Sequence, residues 1–200
     1  KGLRLPPKIA PIQIIIIPII KNENDLNKIN NFIKPLVQDL KNNNIRFKID
    51  KRLSTTPGYK FNEWEMKGVP IRLEVGPRDM ENQSITYARR DSNQKEICNL
   101  KNAVNDLSSL LYEIQDNMYN QALCFRDNNT FSVTSYEEFK SRIKQGGFIK
   151  CGWDGNSKTE LNIKSETKAT IRCIISEKTN LKCIYSKKDA KYEVIYAKAY

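Results

Sequence analysis

Four side chains between Thr56 and Asp79 have the chemistry to read a guanine: Glu65, Arg72, Arg78 and Asp79 supply two carboxylates and two guanidiniums. A carboxylate accepts from the N1 and N2 hydrogens of guanine, and an arginine donates to O6 and N7. RNA loops are read this way, with unstacked bases held on aromatic planes. Tyr59, Phe61 and Trp64 offer such planes or fill a core, with Trp64 the stronger core candidate. A plainer arrangement also fits. Alternation along Ile71 to Val75 puts Arg72 and Glu74 on one strand face and Ile71, Leu73 and Val75 on the other. A solvated Arg/Glu pair and a β-turn at Gly76-Pro77-Arg78-Asp79 would satisfy that pattern with no ligand.

The surrounding composition narrows the chemistry. The chain has 200 residues, a formal charge of +11 and not one histidine. Ser-His-Asp and Cys-His nucleophiles and a histidine general base are therefore excluded. No Gly-rich phosphate loop is present. The positive balance favours a polyanionic partner, nucleic acid or an anionic membrane surface. Both halves are basic, so charge alone does not locate the binding face. The most apolar stretch, Ile9 to Ile20, contains Pro11 and Pro18 and is shorter than the ~20 residues that span a bilayer. No signal peptide or membrane anchor is expected, and the cytoplasm is the expected compartment. Cys98, Cys124, Cys151, Cys173 and Cys183 are odd in number and widely spaced, which is no disulfide framework. Cys98, Cys124 and Cys173 read as buried filler.

The elements that would hold the four residues follow from periodicity. Ile12 to Ile19 reads as a strand buried on both faces, ended by Pro18. A helix from Leu26 to Leu40 is expected to kink at Pro35 and stop at Asn42 to Asn44. A short strand Ile45 to Ile49, a turn-rich stretch to Gly58 and a short helix ending at Gly68 come next. Strands at Pro70 to Val75 and Ser84 to Arg90 follow, with Gly76-Pro77 as punctuation. Leu100, Ala103, Val104, Leu107, Leu110, Leu111, Ile114 and Met118 line one face of the strongest helix, a spine between two modules. After Asp127 to Asn129 the pattern restarts. Ser135 opens a helix to Gln145, Gly146-Gly147 ends it, and a strand, a helix and two or three short strands complete the chain.

Several long blocks carry a resemblance: Lys1 to Gln13, Pro57 to Asp79, Arg89-Arg90-Asp91 and Ala197-Lys198-Ala199-Tyr200. In order and along the whole chain, the sequence resembles the C-terminal part of the prolyl-tRNA synthetases, class II enzymes, in their eukaryote-like or archaeal-like form. The resemblance implies an α/β fold. Residues 1–113 would be the class II anticodon-binding domain, a five-stranded mixed sheet flanked by helices, and residues 114–200 a small α+β C-terminal domain. It further implies that the catalytic domain, with its ATP, magnesium and proline sites, lies upstream, so this part would bind tRNA(Pro) weakly and catalyse nothing alone. The intact enzyme would be a homodimer that forms prolyl-adenylate and then prolyl-tRNA. By resemblance, Glu65, Arg72, Arg78 and Asp79 occupy the positions that read the two guanines shared by proline anticodons. That favours the guanine reading over the solvated strand. A free-standing paralogue serving as an RNA-binding or protein-interaction module is the alternative.

Relatives often carry a structural zinc in the C-terminal module. The resemblance places Asp154 and Thr159 at one ligand pair, and Cys183 and Ser186 at the other. One thiolate of four remains, with Cys151 nearby, and a tetrahedral site normally needs four Cys or His ligands. A module without zinc is therefore expected, with Asp154-Gly155 as a turn and Cys183 as a small apolar side chain. The terminal strand would point Tyr200 towards the catalytic domain.

Overall fold

A computed structural model describes residues 2–20 and 22–199. The chain divides into two compact units, Lys1–Gln121 and Ala122–Tyr200.

The first unit is a five-stranded mixed sheet of β1 (Ile14–Pro18), β2 (Phe47–Ile49), β3 (Ile71–Val75), β4 (Ser84–Arg89) and β5 (Lys95–Asn99). Its order is β2-β1-β3-β4-β5, with β1 parallel to β2 and β3, and β4 antiparallel to both its neighbours. β1 is the central parallel strand, and its β-branched run is buried on both faces. Ile14 and Ile16 enter a large core with Ile71, Leu73, Val75 and Ile85. Ile15 and Ile17 enter a smaller one with Trp64 and Val69. The large core is closed by α1 (Glu23–Phe32), α2 (Lys34–Asn42) and α5 (Ala103–Asn128), the last through Leu107, Leu110, Leu111 and Ile114. The small core lies under α3 (Pro57–Met66).

Four local outcomes differ from the sequence reading. The expected kinked helix is two helices meeting at Ile33; Pro35 stands in the first turn of α2, where a missing N–H costs nothing. The first of them begins earlier than Leu26, because the Asn22 side chain accepts from the Asp25 amide at 2.9 Å and caps it. Gly76-Pro77 opens a short helix, α4 (Pro77–Glu81), rather than a plain turn. β5 has no counterpart in the residue pattern because only Cys98 of its five residues is buried. With it, the sheet has the five strands that the resemblance implied.

The second unit holds β6 (Thr130–Ser132), α6 (Tyr136–Gln145), β7 (Phe148–Trp153), α7 (Ser157–Thr167), β8 (Ala169–Ser176) and β9 (Tyr192–Lys198). Its sheet order is β6-β7-β9-β8, with β6 parallel to β7 and the other pairs antiparallel. Phe139, Ile143, Ile149, Ile163, Val194 and Tyr196 form the core between sheet and helices. Ser135 caps α6 by accepting from the Glu138 amide at 3.2 Å, as its position suggested. Two of the three cysteines expected to be buried filler are not: Cys124 and Cys173 are exposed, and only Cys98 is buried. Cys124 lies beyond the buried stripe of α5, and Cys173 lies on the exposed stretch of edge strand β8. Tyr200 lies outside the described residues.

Candidate nucleic-acid interface

The face of the first sheet opposite its large core is covered on one side only. α3 closes it over β1 through Trp64, packed on Ile15, Ile17 and Val69. Beyond α3 the register sets Arg72 beside Ala88 and Ala88 beside Lys95, then Glu74 beside Thr86 and Thr86 beside Ile97. These side chains share one face by the two-residue period of strands. That area is open, and Ile97 is 71% exposed on it.

Arg72 sits at the border between the covered and open areas. Its guanidinium pairs with Glu65 at the end of α3 and donates to Glu74 Oε1 from Nε at 3.2 Å and Nη2 at 3.1 Å. Its flat face lies 4.2 Å from the Phe61 ring centroid. The Glu74 carboxylate also accepts from Lys95 Nζ at 2.6 Å. The Arg72 and Glu74 side chains are 14% and 10% exposed, so this is a packed ion-pair network and not a solvated strand face. Glu65, at 45%, is the partner of Arg72 that solvent reaches, and Lys95, at 54%, is the exposed partner of Glu74. Planar Arg–carboxylate and Arg–aromatic contacts fix the guanidinium in both position and tilt.

Arg78 and Asp79 stand in the first turn of α4, just past β3. Asp79 caps that helix. Its Oδ2 accepts from the Gly76 amide at 2.8 Å, and its Oδ1 accepts from the Thr86 hydroxyl at 3.1 Å. Thr86 is the register neighbour of Glu74, so Asp79 is tied to the face that holds Arg72. Arg78 is exposed, and its guanidinium has no hydrogen-bond or ion-pair partner among the described residues. The structure therefore brings Glu65 and Arg72 into direct contact and sets Arg78 and Asp79 at the end of the same strand. The Glu74 and Lys95 contribution was not singled out from sequence. Glu74 was visible as the polar partner of Arg72, whereas Lys95 joins only through cross-strand register.

The aromatic residues separate. Trp64 is buried, as its core reading held, and donates its indole N–H to Asp50 Oδ2 at 2.8 Å. Phe61 is half-buried under Arg72, and Tyr59 is 61% exposed. Gly68 ends the α3 region with φ +76°, and a Cβ there would stand 3.0 Å from Leu3. That close approach lets the segment from Gly2 run beside Glu65, held by the Leu3 amide on Met66 O at 3.2 Å and the Leu5 amide on Gly68 O at 3.1 Å. Between Glu65, Arg72, Ala88 and Arg90 there is a cavity of about 50 Å³, room for water but not for a base.

The positions where a metal was weighed form a hydrogen-bonded cluster. Asp154 Oδ2 accepts from Thr159 Oγ1 at 3.0 Å and Ser186 Oγ at 2.6 Å, and Oδ1 accepts from the Asn156 amide at 3.0 Å. Burial alone would raise this carboxyl, but these bonds outweigh it and hold it below its ordinary range. Cys151 and Cys183 are buried nearby; burial pushes the Cys151 thiol up to about 12, where it is no thiolate at neutral pH. Among the described residues no group of three or more His, Cys, Asp or Glu is placed to hold a metal. The donor set does not fit zinc. Gly152 on β7 admits the facing loop closely, since a Cβ there would stand 2.5 Å from Lys182 O.

Comparison with known proteins adds independent findings. Residues 13–110 match the family described as "Anticodon binding domain", and residues 136–200 match "Prolyl-tRNA synthetase, C-terminal". The chain is 46% identical over 201 residues to the proline--tRNA ligase of Porphyromonas gingivalis, covering 100% of this chain and 41% of that protein. It is 41% identical to that of Roseiflexus castenholzii, covering 100% of this chain and 42% of that protein. Among solved structures, prolyl-tRNA synthetase from Cryptosporidium parvum, complexed with L-proline and AMP, superposes with a TM-score of 0.89. The two are 33% identical, and the match covers all of this chain and 43% of the other. The chain thus spans about two fifths of the length of these relatives.

Proposed function

The chain belongs to the prolyl-tRNA synthetase family, as its anticodon-binding and C-terminal region, and from that premise we propose that its open sheet face reads the guanines of a proline anticodon. Glu65 accepts from a guanine N1 and N2, and Arg72 donates to O6 and N7. Arg78 and Asp79 serve the neighbouring base in the same way. The observation that carries this reading is the pairing of a half-exposed Glu65 with an Arg72 held rigidly by Glu74 and Phe61. Without RNA the two ions neutralise each other, so neither is left bare. A guanine offers Glu65 two adjacent donors, N1–H and N2–H, and offers Arg72 two adjacent acceptors, O6 and N7, whereas an adenine offers only N6–H to a carboxylate and one ring nitrogen at a time to a guanidinium.

The enzyme of which this region is part then joins proline to tRNA(Pro), with ATP and magnesium used in the remainder of its length. We assign the whole enzyme to the cytoplasm, as a homodimer, and this region to a fold that needs no zinc. No helix of the described residues is long and apolar enough to cross a membrane. The test is binding of the chain to anticodon stem-loops. A loop with both guanines should bind more tightly than loops with either changed to adenine, by about 1–3 kcal/mol each, and Glu65→Gln should erase the difference at one position. Equal affinity for all loops would overturn the reading.

A further inference from the structure

An open groove of about 830 Å³ lies on the far side of Glu65, lined by Gly2, Arg4, Glu65, Arg90 and Asn93. Its size is in the range of ligand sites, yet among the described residues no apolar side chain lines it, which is unlike a base or small-molecule pocket. Of the three charged residues among its described lining two are arginines, and the carboxylate, Glu65, is already paired with Arg72. The excess is positive and directed at a ligand of opposite sign.

Neutral groups hold Arg4, and the Glu65 carbonyl is among the groups that hold Arg90. Arg4 Nη1 donates to Asp91 O at 3.3 Å and Gln121 Oε1 at 3.4 Å, leaving Nε and Nη2 without a partner among the described residues. Arg90 Nε donates to Glu65 O at 3.2 Å, which sets that guanidinium beside the residue proposed to read a base. The turn that carries Arg90 and Asn93 is rigid. The Asp91 side chain is fully buried and receives Arg89 through two bonds, at 3.1 and 2.9 Å, and Asn117 Nδ2 at 2.6 Å. A preorganised fork of guanidinium donors beside a base-reading carboxylate suits a phosphodiester of the same strand.

We propose that the Arg4–Arg90 groove takes one backbone phosphate of the RNA whose guanine meets Glu65, as a contact blind to sequence. The proposal rests on the anticodon reading above. Phosphate contacts set register and affinity, whereas base edges set specificity. On this view the groove fixes where the strand runs, and the Glu65–Arg72 pair tests the base that arrives.

The experiment measures affinity of the chain for stem-loops across a salt series, with Arg4→Gln as the variant, since Arg4 makes no bond to Glu65. Arg4→Gln should weaken binding about three- to tenfold, equally for guanine-bearing and adenine-substituted loops, and reduce the salt slope by about 0.7 to 1. A neutral methylphosphonate placed singly at each loop linkage should weaken the unaltered chain at one linkage and leave Arg4→Gln unaffected there, which separates an RNA phosphodiester from a free anion. Unchanged affinity and slope in Arg4→Gln overturns the groove while leaving base reading intact. Loss confined to guanine-bearing loops also overturns it, by making Arg4 a base reader. Absence of guanine preference in the unaltered chain overturns the base reading, and the groove with it.

Discussion

Trp64 on α3 donates its indole N–H to Asp50, the residue that follows β2, and this buried 2.8 Å bond fixes the helix that carries Glu65 to the sheet. Asp50 also accepts from Arg52 Nε at 2.9 Å and Nη2 at 2.5 Å, and Lys60 is buried against it with Nζ 3.9 Å from Oδ1. Burial alone would raise the Asp50 carboxyl; the bonds from Arg52 and Trp64 and the charge of Lys60 outweigh it and hold the group well below the usual carboxylate range. Burial pulls the Lys60 ammonium down, against the attraction of Asp50.

The native state therefore binds less proton at Asp50 than the unfolded chain does. Its contribution to stability is full above pH ~4 and is lost as pH falls through the lowered native value. Asp50→Asn should cost about 3–5 kcal/mol at pH 7, because Lys60 and Arg52 lose a buried counter-charge. Urea titrations at pH 7 and pH 3 check this: the variant should lose less on acidification than the parent. Parallel pH profiles for the two would contradict it.

Arg78 and Asp79 should separate binding from folding. Arg78 has no hydrogen-bond or ion-pair partner to lose among the described residues, so Arg78→Ala should weaken stem-loop binding and move the melting temperature by no more than a degree or two. Asp79→Ala removes the cap of α4 and should also cost ~1 kcal/mol of stability. Asp79→Asn keeps an acceptor for the Gly76 amide and should restore most of that stability without restoring guanine preference. Calorimetry and stem-loop affinity on the same samples give both readouts.

The parts of the site that were legible in the sequence are those fixed by local spacing. Arg72 and Glu74 had to share a face two residues apart, and β1 and α5 announced themselves by unbroken burial on both faces or along one stripe. Trp64 was read as the stronger core candidate of the three aromatics, and the structure supplies the bed for it in Ile15, Ile17 and Val69. What remained hidden depended on register or exposure. Lys95 meets Glu74 only because β5 pairs with β4, and β5 shows almost no apolar pattern, being an edge strand. Cys124 and Cys173 looked like core by type, yet a cysteine on an edge strand or a helix end has nothing to be buried against.

Glu74 is predicted to hold Arg72, the arginine proposed to read a base, in place. It is buried and accepts from both Arg72 and Lys95. Glu74→Ala leaves Arg72 with Glu65 alone, and the expected cost is about 3 kcal/mol of stability. Glu74→Gln keeps one acceptor and should cost less, while guanine preference falls because the guanidinium is freer to tilt. In an intact enzyme Arg72→Ala should raise the apparent KM for tRNA and leave proline-dependent ATP–pyrophosphate exchange nearly unchanged. Equal loss of both activities would count against the assignment.

Asp154 is predicted to do by hydrogen bonding what a metal does in many small modules, tying the β7–α7 turn to the loop at Ser186. Thr159 is buried and the Asp154–Ser186 bond is short, so the carboxylate joins three backbone segments without a cation. Asp154→Ala strands the Thr159 hydroxyl and frees the loop, and should cost about 2–3 kcal/mol. Because the Asp154 carboxyl is held low, its contribution should persist above pH ~4 and fade as pH falls through its native value. A chelator should leave the melting curve of the parent unmoved. Stoichiometric zinc by elemental analysis, with unfolding on chelation, would show instead that Cys151, Asp154 and Cys183 rearrange around a metal.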